Sequence, residues 1–223
     1  MIRRILAIDC SNRFTCLGLV DEGMPVSEFN VDLGRSQGSL LPSCVDSFLK
    51  NSGTSIENID AIGVTVGPGY FTGIRVALSY GVGLAKGLDI PVVPLSPLEA
   101  LARAARPSVG ERVIPCIRAG QGALYCAGFF VDQTGLNEIF AEGERDPEEL
   151  SSAMSDIDAT AGFVVTEERT LVGFDVSSKI DKLICIGGFA LGETAWLHRA
   201  EVRSPHEIQA RYYRSPGLGN FSK

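Results

Sequence analysis

The order of apolar segments constrains the fold of this chain more than any other feature of its sequence. Three short runs rich in strand-forming residues come first, at positions 4–9, 14–20 and 25–31. The polar stretches between them are short enough for antiparallel hairpins, which predicts a three-strand meander. Helix and strand patterns then alternate, with helices at 39–51, 71–87 and 96–105 and strands at 60–66 and 91–95. This alternation predicts parallel strands added to the meander, giving an α/β fold with a mixed sheet and flanking helices.

The second half of the chain begins with a break in this pattern. Proline and glycine interrupt it at residues 106–112, after which the sequence repeats the three-strand opening. The repeated strand patterns lie at 113–117, 124–132 and 136–141, and further strands and a helix follow at 162–165, 183–186 and 189–200. We therefore predict a duplicated fold, with an N-terminal domain over residues 1–105 and a smaller C-terminal lobe of the same type over residues 106–223.

The charge balance limits the partners of the chain. Asp and Glu together number 27 against 20 Lys and Arg, a formal net charge of -7. This argues against unaided binding to nucleic acid, because a phosphate backbone is held by a basic surface. The first apolar run is short and reaches Asp9 without a small-residue cleavage site, which argues against a signal peptide. No apolar window has the length of a membrane span, so we expect a cytoplasmic protein that binds no membrane.

Cysteine and histidine usage argues against a metal site. The cysteines form no Cys-x-x-Cys motif and are scattered at positions 10, 16, 44, 116, 126 and 185. We interpret them as reduced, mostly buried apolar residues. The only histidines, His198 and His206, are too few for a multi-histidine site. We expect no metal ion and no cofactor.

The most distinctive segment is a glycine-rich loop, Gly67-Pro-Gly-Tyr-Phe-Thr-Gly-Ile-Arg75, between a predicted strand and a predicted helix. It matches neither common phosphate-loop pattern, because Thr72 replaces the third dinucleotide-type glycine and Ile74 replaces the lysine of a nucleotide loop. Backbone N–H groups at the helix N-terminus could still hold an anion. Equally, Gly67 and Gly69 could serve only a tight turn, and Gly73 a close helix contact.

Two other short segments are compatible with an anion or nucleotide site. Asp9 and Ser11 follow the first predicted strand, at a position where α/β proteins often bind ligands. Gly187 and Gly188 follow a late strand and could allow a nucleotide to approach the backbone. In both cases the simpler interpretation is structural, because aspartate is common in turns and glycine at helix starts.

The helix predicted at 71–87 carries two stripes. Small residues recur every four positions at Gly73, Ala77, Gly81 and Ala85, and a neighbouring apolar stripe contains Val76, Tyr80 and Leu84. The small residues allow close approach of another backbone, either that of the chain's own sheet or that of a partner. The helix is apolar almost all round, which favours a second buried face.

Several of these segments together resemble the TsaB (YeaZ) family, which is required for threonylcarbamoyladenosine in tRNA. The matching segments are Ile8-Asp-Cys-Ser11, the glycine-rich loop, Gly83-Leu-Ala85, Pro91-Val-Val-Pro-Leu-Ser96 and Tyr212-Tyr-Arg214. The resemblance implies a two-lobed fold of the actin, sugar-kinase and heat-shock-chaperone type, related to ribonuclease H. It also implies a non-catalytic subunit, since the paralogous TsaD transferase has a His-x-x-x-His metal motif where this chain has Pro97 and Leu101.

The sequence departs from the family pattern in two places. Ser36-Gln-Gly-Ser-Leu-Leu-Pro42 lacks the histidine that often begins this segment, and Ile117-Arg-Ala-Gly-Gln-Gly-Ala-Leu-Tyr125 lacks the usual Asp, Arg and Glu. Arg118 therefore reverses the charge near the expected nucleotide phosphates, which disfavours ATP hydrolysis but leaves an anion site possible. The predicted vestigial nucleotide or anion site comprises Asp9, Ser11, Gly67, Gly69, Arg118, Gly187 and Gly188.

The resemblance further implies that the chain binds a TsaD-type transferase together with a TsaE-type ATPase, contacts tRNA only indirectly, and forms a homodimer when alone. We predict that helices 39–51 and 71–87 make the contact. The predicted partner-binding residues are Leu41, Val45, Phe71, Gly73, Ala77, Tyr80, Gly81 and Leu84. The alternatives are an ATP-dependent small-molecule or acyl kinase using Asp9 and the glycine loops, and a peptidase. A peptidase is disfavoured, because the chain has no credible Cys–His or Ser–His pair in its first 190 residues.

Overall fold

The computed structural model describes residues 1–120, 122–146, 148–150, 152, 162–166 and 180–213. These residues form two five-stranded sheets. The first sheet contains β1 (Arg4–Asp9), β2 (Thr15–Asp21), β3 (Met24–Val31), β4 (Ala61–Thr65) and β5 (Val92–Leu95). The second contains β6 (Arg112–Gly120), β7 (Ala123–Asp132), β8 (Gly135–Arg145), β9 (Gly162–Thr166) and β10 (Ile180–Leu183). The orders are β3-β2-β1-β4-β5 and β8-β7-β6-β9-β10, which is one topology used twice.

Each sheet has an antiparallel meander extended by parallel strands. In the first sheet β1 pairs antiparallel with β2 and parallel with β4, so that Ile8 lies between Leu17 and Val64. In the second sheet β6 pairs in the same way with β7 and β9. The predicted α/β class with mixed sheets is therefore confirmed. The strand β1 is central and its apolar residues are fully buried, as expected for a strand covered on both faces.

Four helices cover the first sheet: α1 (Gln37–Asn51), α2 (Phe71–Leu88), α3 (Pro97–Ala104) and α4 (Gly188–Leu197). Helices α1 and α2 lie on one face, where Val45 and Ala77 share a core with Leu6 and Ile62. Helices α3 and α4 lie on the other face. Their residues share a second core with the first sheet and with β6 and β7, so these two helices form the layer between the sheets.

The chain returns to the first sheet after it has completed the second. Helix α4 crosses β2 so closely that a Cβ atom on Gly18 would lie 2.9 Å from the carbonyl carbon of Gly188. Farther on, Arg203 forms an antiparallel bridge with Val92 at the edge of the first sheet. Residues 188–203 thus lie on the first sheet, although the strand and helix pattern predicts them in the second lobe. The strand and helix pattern shows what an element is, but not which sheet it covers.

A partly buried cluster of charged side chains links α3 to the residue that follows α4. Glu99 accepts hydrogen bonds from Arg103 at 2.8 Å and from Nε2 of His198 at 2.9 Å, and Nδ1 of His198 lies 2.6 Å from Glu201. The hydrogen bond to Glu99 raises the pKa of His198 to about 9, so the imidazole is charged at neutral pH.

Within the described part of the chain, no helix is long and apolar enough to cross a lipid bilayer.

Candidate functional site

The stripe of small residues on α2 faces the chain's own sheet. Ala77 is fully buried, and a Cβ atom on Gly81 would lie 3.3 Å from a methyl group of Val64. A Cβ atom on Gly73 would overlap the carbonyl oxygen of Cys10 and lie 2.9 Å from its carbonyl carbon. The small side chains therefore allow α2 to approach β1 and β4 closely, which is the structural interpretation of this stripe.

This packing corrects three of the eight predicted partner-binding residues. Val45, Ala77 and Gly81 are buried within the chain and offer no surface to a partner, whereas Leu41 and Gly73 are buried but line the wall of the groove described below. The spacing of four residues correctly indicates a contact face of α2. It does not indicate whether that face contacts the chain's own sheet or a partner.

The other three predicted residues lie on the outer side of α2. Phe71, Tyr80 and Leu84 are half-buried, as is Val76 between them. With α1 they border a groove of about 400 Å³, which we call the α1–α2 groove; it is lined by Gly38, Leu41, Pro42, Phe71, Thr72, Arg75, Val76, Ser79 and Tyr80. It continues past the start of α1 into a wider space of about 740 Å³. Its size and its apolar and aromatic walls suit a protein or small-molecule ligand.

Asp9, the proposed nucleotide-site carboxylate, is closed off from solvent. Its side chain is 1% exposed, and Oδ1 accepts hydrogen bonds from the Ser11 N–H at 2.9 Å and from the Thr65 hydroxyl at 2.6 Å. Its Oδ2 has no hydrogen-bond partner among the described residues. Burial raises the pKa of Asp9, because the ionised form loses its hydration. A carboxylate that serves a magnesium nucleotide needs to be ionised and accessible, and Asp9 is not accessible.

The glycine-rich loop closes directly over Ser11. The N–H of Tyr70 donates to the carbonyl oxygen of Ser11 at 2.6 Å, and a Cβ atom on Gly69 would lie 2.5 Å from that oxygen. The loop thus contacts the turn after β1 backbone to backbone. This contact leaves no room for a phosphate between Gly69 and Ser11, so Gly69 serves close packing.

Residues 211–213, which we call the C-terminal strap, join the carboxyl end of β4 to the second sheet. The N–H of Arg211 donates to the carbonyl oxygen of Val66 at 2.7 Å, beside Gly67. The guanidinium of Arg211 and the hydroxyl of Tyr213 both reach Oε1 of Glu142 on β8, at 2.8 Å and 3.0 Å. Ser96 donates to Oε2 of the same carboxylate at 2.6 Å. The strap therefore occupies the space between the sheets in front of the glycine-rich loop.

Glu142 is the site residue that sequence reasoning missed. It belongs to an acidic segment typical of a solvated surface, yet its side chain is only 16% exposed. Its three hydrogen-bond partners are distant in sequence, so no local sequence pattern predicts these contacts. Of the matching tail segment, Arg214 lies outside the described residues.

The remaining residues of the predicted anion site lie elsewhere. The N–H of Gly188, next to Gly187, donates to the Asn30 side chain at 2.8 Å, and the N–H of Phe189 donates to Glu28 at 3.0 Å. Side chains of β3 therefore occupy the start of α4, where an anion would otherwise bind. Arg118 is exposed on β6, opposite Leu124. Of the predicted anion-site residues, Asp9, Ser11 and Gly69 are joined by direct contacts around the turn after β1, with Gly67 in the same loop.

No group of three metal-ligating side chains is found among the described residues, and the six cysteines are free thiols. His198 is held by Glu99 and Glu201, so it is not paired with a cysteine or serine nucleophile.

The two sheets of one topology, with helices between them and outside the first, define a two-lobed α/β protein of the actin and sugar-kinase type. The family model described as tRNA N6-adenosine threonylcarbamoyltransferase, TsaD, matches residues 34–177. The chain therefore belongs to this transferase family, and within it to the TsaB (YeaZ) branch.

Three relatives support the assignment to the TsaB (YeaZ) branch. The tRNA threonylcarbamoyladenosine biosynthesis protein TsaB of Escherichia coli is 34% identical over 134 residues, which cover 60% of this chain and 58% of the relative. The TsaB protein of Haemophilus influenzae is 28% identical over 188 residues, covering 78% and 79% of the two chains. The solved structure of YeaZ from Pseudomonas aeruginosa superposes with a TM-score of 0.79 at 26% identity, covering 95% of this chain and 100% of that one. The match to the Escherichia coli relative thus spans less than two thirds of its length.

Proposed function

We propose that this chain is a non-catalytic subunit required for threonylcarbamoyl transfer to adenosine in tRNA. In this proposal it binds and supports a TsaD-type transferase together with a TsaE-type ATPase, and it contacts tRNA only indirectly. The names of its relatives refer to tRNA threonylcarbamoyladenosine biosynthesis, which supports a role of this chain in that process. The acidic net charge of -7 fits a subunit that does not hold the tRNA itself.

The observation that carries the proposal is the closed environment of Asp9. The turn after β1 and the glycine-rich loop bury its carboxylate, and the C-terminal strap covers the loop. In addition, Pro97 and Leu101, which stand at the metal-ligand positions of the transferases, are both buried in α3. Neither side chain can ligate a metal ion. These features argue against the kinase alternative and for a supporting role.

For the partner-binding surface we propose the α1–α2 groove and the outer stripe of α2 in place of the buried residues predicted from sequence. Half-buried Phe71, Val76, Tyr80 and Leu84 offer apolar contact area, and Leu40 on α1 is 42% exposed. Such a cluster with a polar margin is typical of a protein interface. In the absence of the transferase, the same surface forms the homodimer.

The experiment is a binding measurement by isothermal titration calorimetry between the purified chain and the TsaD-type transferase of the same organism. Tyr80→Arg places a charge at the centre of the groove and is expected to weaken binding by at least about tenfold, as for an interface residue that contributes about 1.4 kcal/mol or more. The matched control is Val26→Arg, because Val26 is an exposed apolar residue on the edge strand β3. Equal binding by Tyr80→Arg and the wild type would contradict the placement of the interface.

The kinase alternative is tested separately by calorimetry of the isolated chain with ATP and magnesium. We expect no binding, since Asp9 is closed off. Micromolar binding accompanied by phosphate release would overturn the non-catalytic assignment.

A further inference from the structure

One end of the α1–α2 groove is positively charged. Arg13, Arg35 and Arg75 border it, in a chain whose overall charge is -7. Arg13 pairs with Asp32 at 2.6 Å, and both side chains are largely or partly exposed. Arg35 is exposed and has no ion pair with any other described residue. A basic end on an acidic protein is a local feature that the overall composition does not explain.

The third arginine is held in place by neutral groups. The guanidinium of Arg75 lies 3.7 Å from the ring centre of Phe71, and its Nε donates to the hydroxyl of Tyr212 at 3.3 Å. Neither contact neutralises its charge. Phe71 and Tyr212 also contact each other, with ring centres 5.2 Å apart. Arg75 is therefore oriented at the groove before any partner arrives, which lowers the entropy lost on binding.

The backbone adds to this positive character. Helices α1 and α2 both begin at this end of the groove, and neither has a side-chain cap on its first N–H groups. These N–H groups carry partial positive charge. Asn12 borders the same space, is 5% exposed, and has a side-chain nitrogen without a hydrogen-bond partner among the described residues. The Asn12 amide and the Arg35 guanidinium thus offer donors to an occupant that supplies acceptors.

The rest of the groove is apolar, which favours an anionic occupant that also carries an apolar group. Pro42, Val76 and Tyr80 line the section next to the arginines, and the two sections share Val76, Phe71 and Thr72. A free phosphate would use only the charged end. A protein segment with an apolar side chain next to a carboxylate would use both sections, and arginine is enriched in such interfaces.

We infer that the arginine end of the α1–α2 groove receives an acidic segment of the partner protein, whose carboxylates pair with Arg35 and Arg75 while a neighbouring apolar side chain fills the section beside Tyr80. This inference rests on the proposed function, because it names the chemistry of the same surface. It also gives a basis for partner choice. In a homodimer formed through this face, both copies bring the same arginines to one interface, whereas an acidic partner neutralises them.

The test is the salt dependence of binding to the transferase. Arg35→Glu is expected to weaken binding by about fivefold or more at about 0.05 M salt, and the loss should shrink at about 0.5 M salt. The control is Arg3→Glu, which makes the same charge change at an exposed residue at the opposite end of β1. Thermal unfolding of both variants checks that the fold is unchanged.

The outcomes separate the inference from the proposed function. If Arg35→Glu binds like the wild type while Tyr80→Arg does not, the acidic segment is refuted and the proposed interface stands. If neither variant changes binding, the proposed interface itself is wrong. A loss that is independent of salt also overturns the inference. So does inhibition of partner binding by inorganic phosphate beyond that by chloride at equal ionic strength, since it would assign the arginine end to a phosphate ligand.

Discussion

Replacing Gly73 with alanine is expected to destabilise the protein, although alanine is the better helix former. The added Cβ would overlap the carbonyl oxygen of Cys10 and lie 2.9 Å from the carbonyl carbon, well inside normal van der Waals contact. Both atoms belong to the backbone of Cys10, directly after β1, so α2 must move away from the sheet. Overpacking of this kind costs about 1–3 kcal/mol, and we expect the upper part of that range because no side chain can rotate away.

Gly83→Ala is the matched control, since it makes the same change on the same helix at an exposed position where a new Cβ meets no atom within 4 Å. Alanine is favoured over glycine in a helix by about 0.5–1 kcal/mol. The two variants should therefore differ by about 3 kcal/mol, which corresponds to about 6–12 °C in Tm for a chain of this size. Circular dichroism melts measure this difference. Equal melting temperatures would refute the packing of the small-residue stripe on the sheet.

Three further predictions concern single charged groups. The pKa of His198 is raised from 6.5 to about 9. The stability that this imidazole contributes is therefore complete below pH 6.5 and is lost as the pH rises through about 9. Thermal unfolding from about pH 6 to about pH 10 should show this loss in the wild type but not in His198→Gln. The pKa of Asp9 is raised by burial, so the wild type should lose stability relative to Asp9→Asn as the pH rises above 3.8. Urea unfolding that gives the same stability difference between the two proteins at about pH 3.5 and about pH 7 would contradict this. Glu142→Gln removes the charge that holds the C-terminal strap and should speed hydrogen exchange at residues 208–213 by about fivefold, whereas Glu138→Gln at an exposed position of the same strand should not.

Local features of the fold were predictable because they depend on neighbouring residues. The spacing of Ser96 and Glu99 predicts a helix cap, and the Ser96 hydroxyl accepts the Glu99 N–H at 3.3 Å. The meander at the start of each sheet follows from short turns between strand patterns. Both features are decided within a few residues of chain, where sequence carries most of the information.

Features that depend on distant parts of the chain were not predictable. The two stripes of α2 are both compatible with burial, and only the position of β1 and β4 shows that Ala77 is fully covered and Tyr80 only partly. The return of α4 to the first sheet is decided by the close approach of Gly188 to β2. Glu142 binds residues 46, 69 and 71 positions away, so its burial has no local signature.

The functional claim is tested most directly by the threonylcarbamoyladenosine content of tRNA in cells that lack the endogenous copy of this chain. Nucleosides from digested tRNA would be quantified by mass spectrometry after the cells are supplied with the wild type, Tyr80→Arg or Asp9→Asn. We predict that the wild type and Asp9→Asn restore the modification, because Asp9 is closed off from solvent. We predict that Tyr80→Arg does not restore it. Full restoration by Tyr80→Arg together with loss in Asp9→Asn would contradict a supporting subunit and indicate an enzyme acting from the cleft.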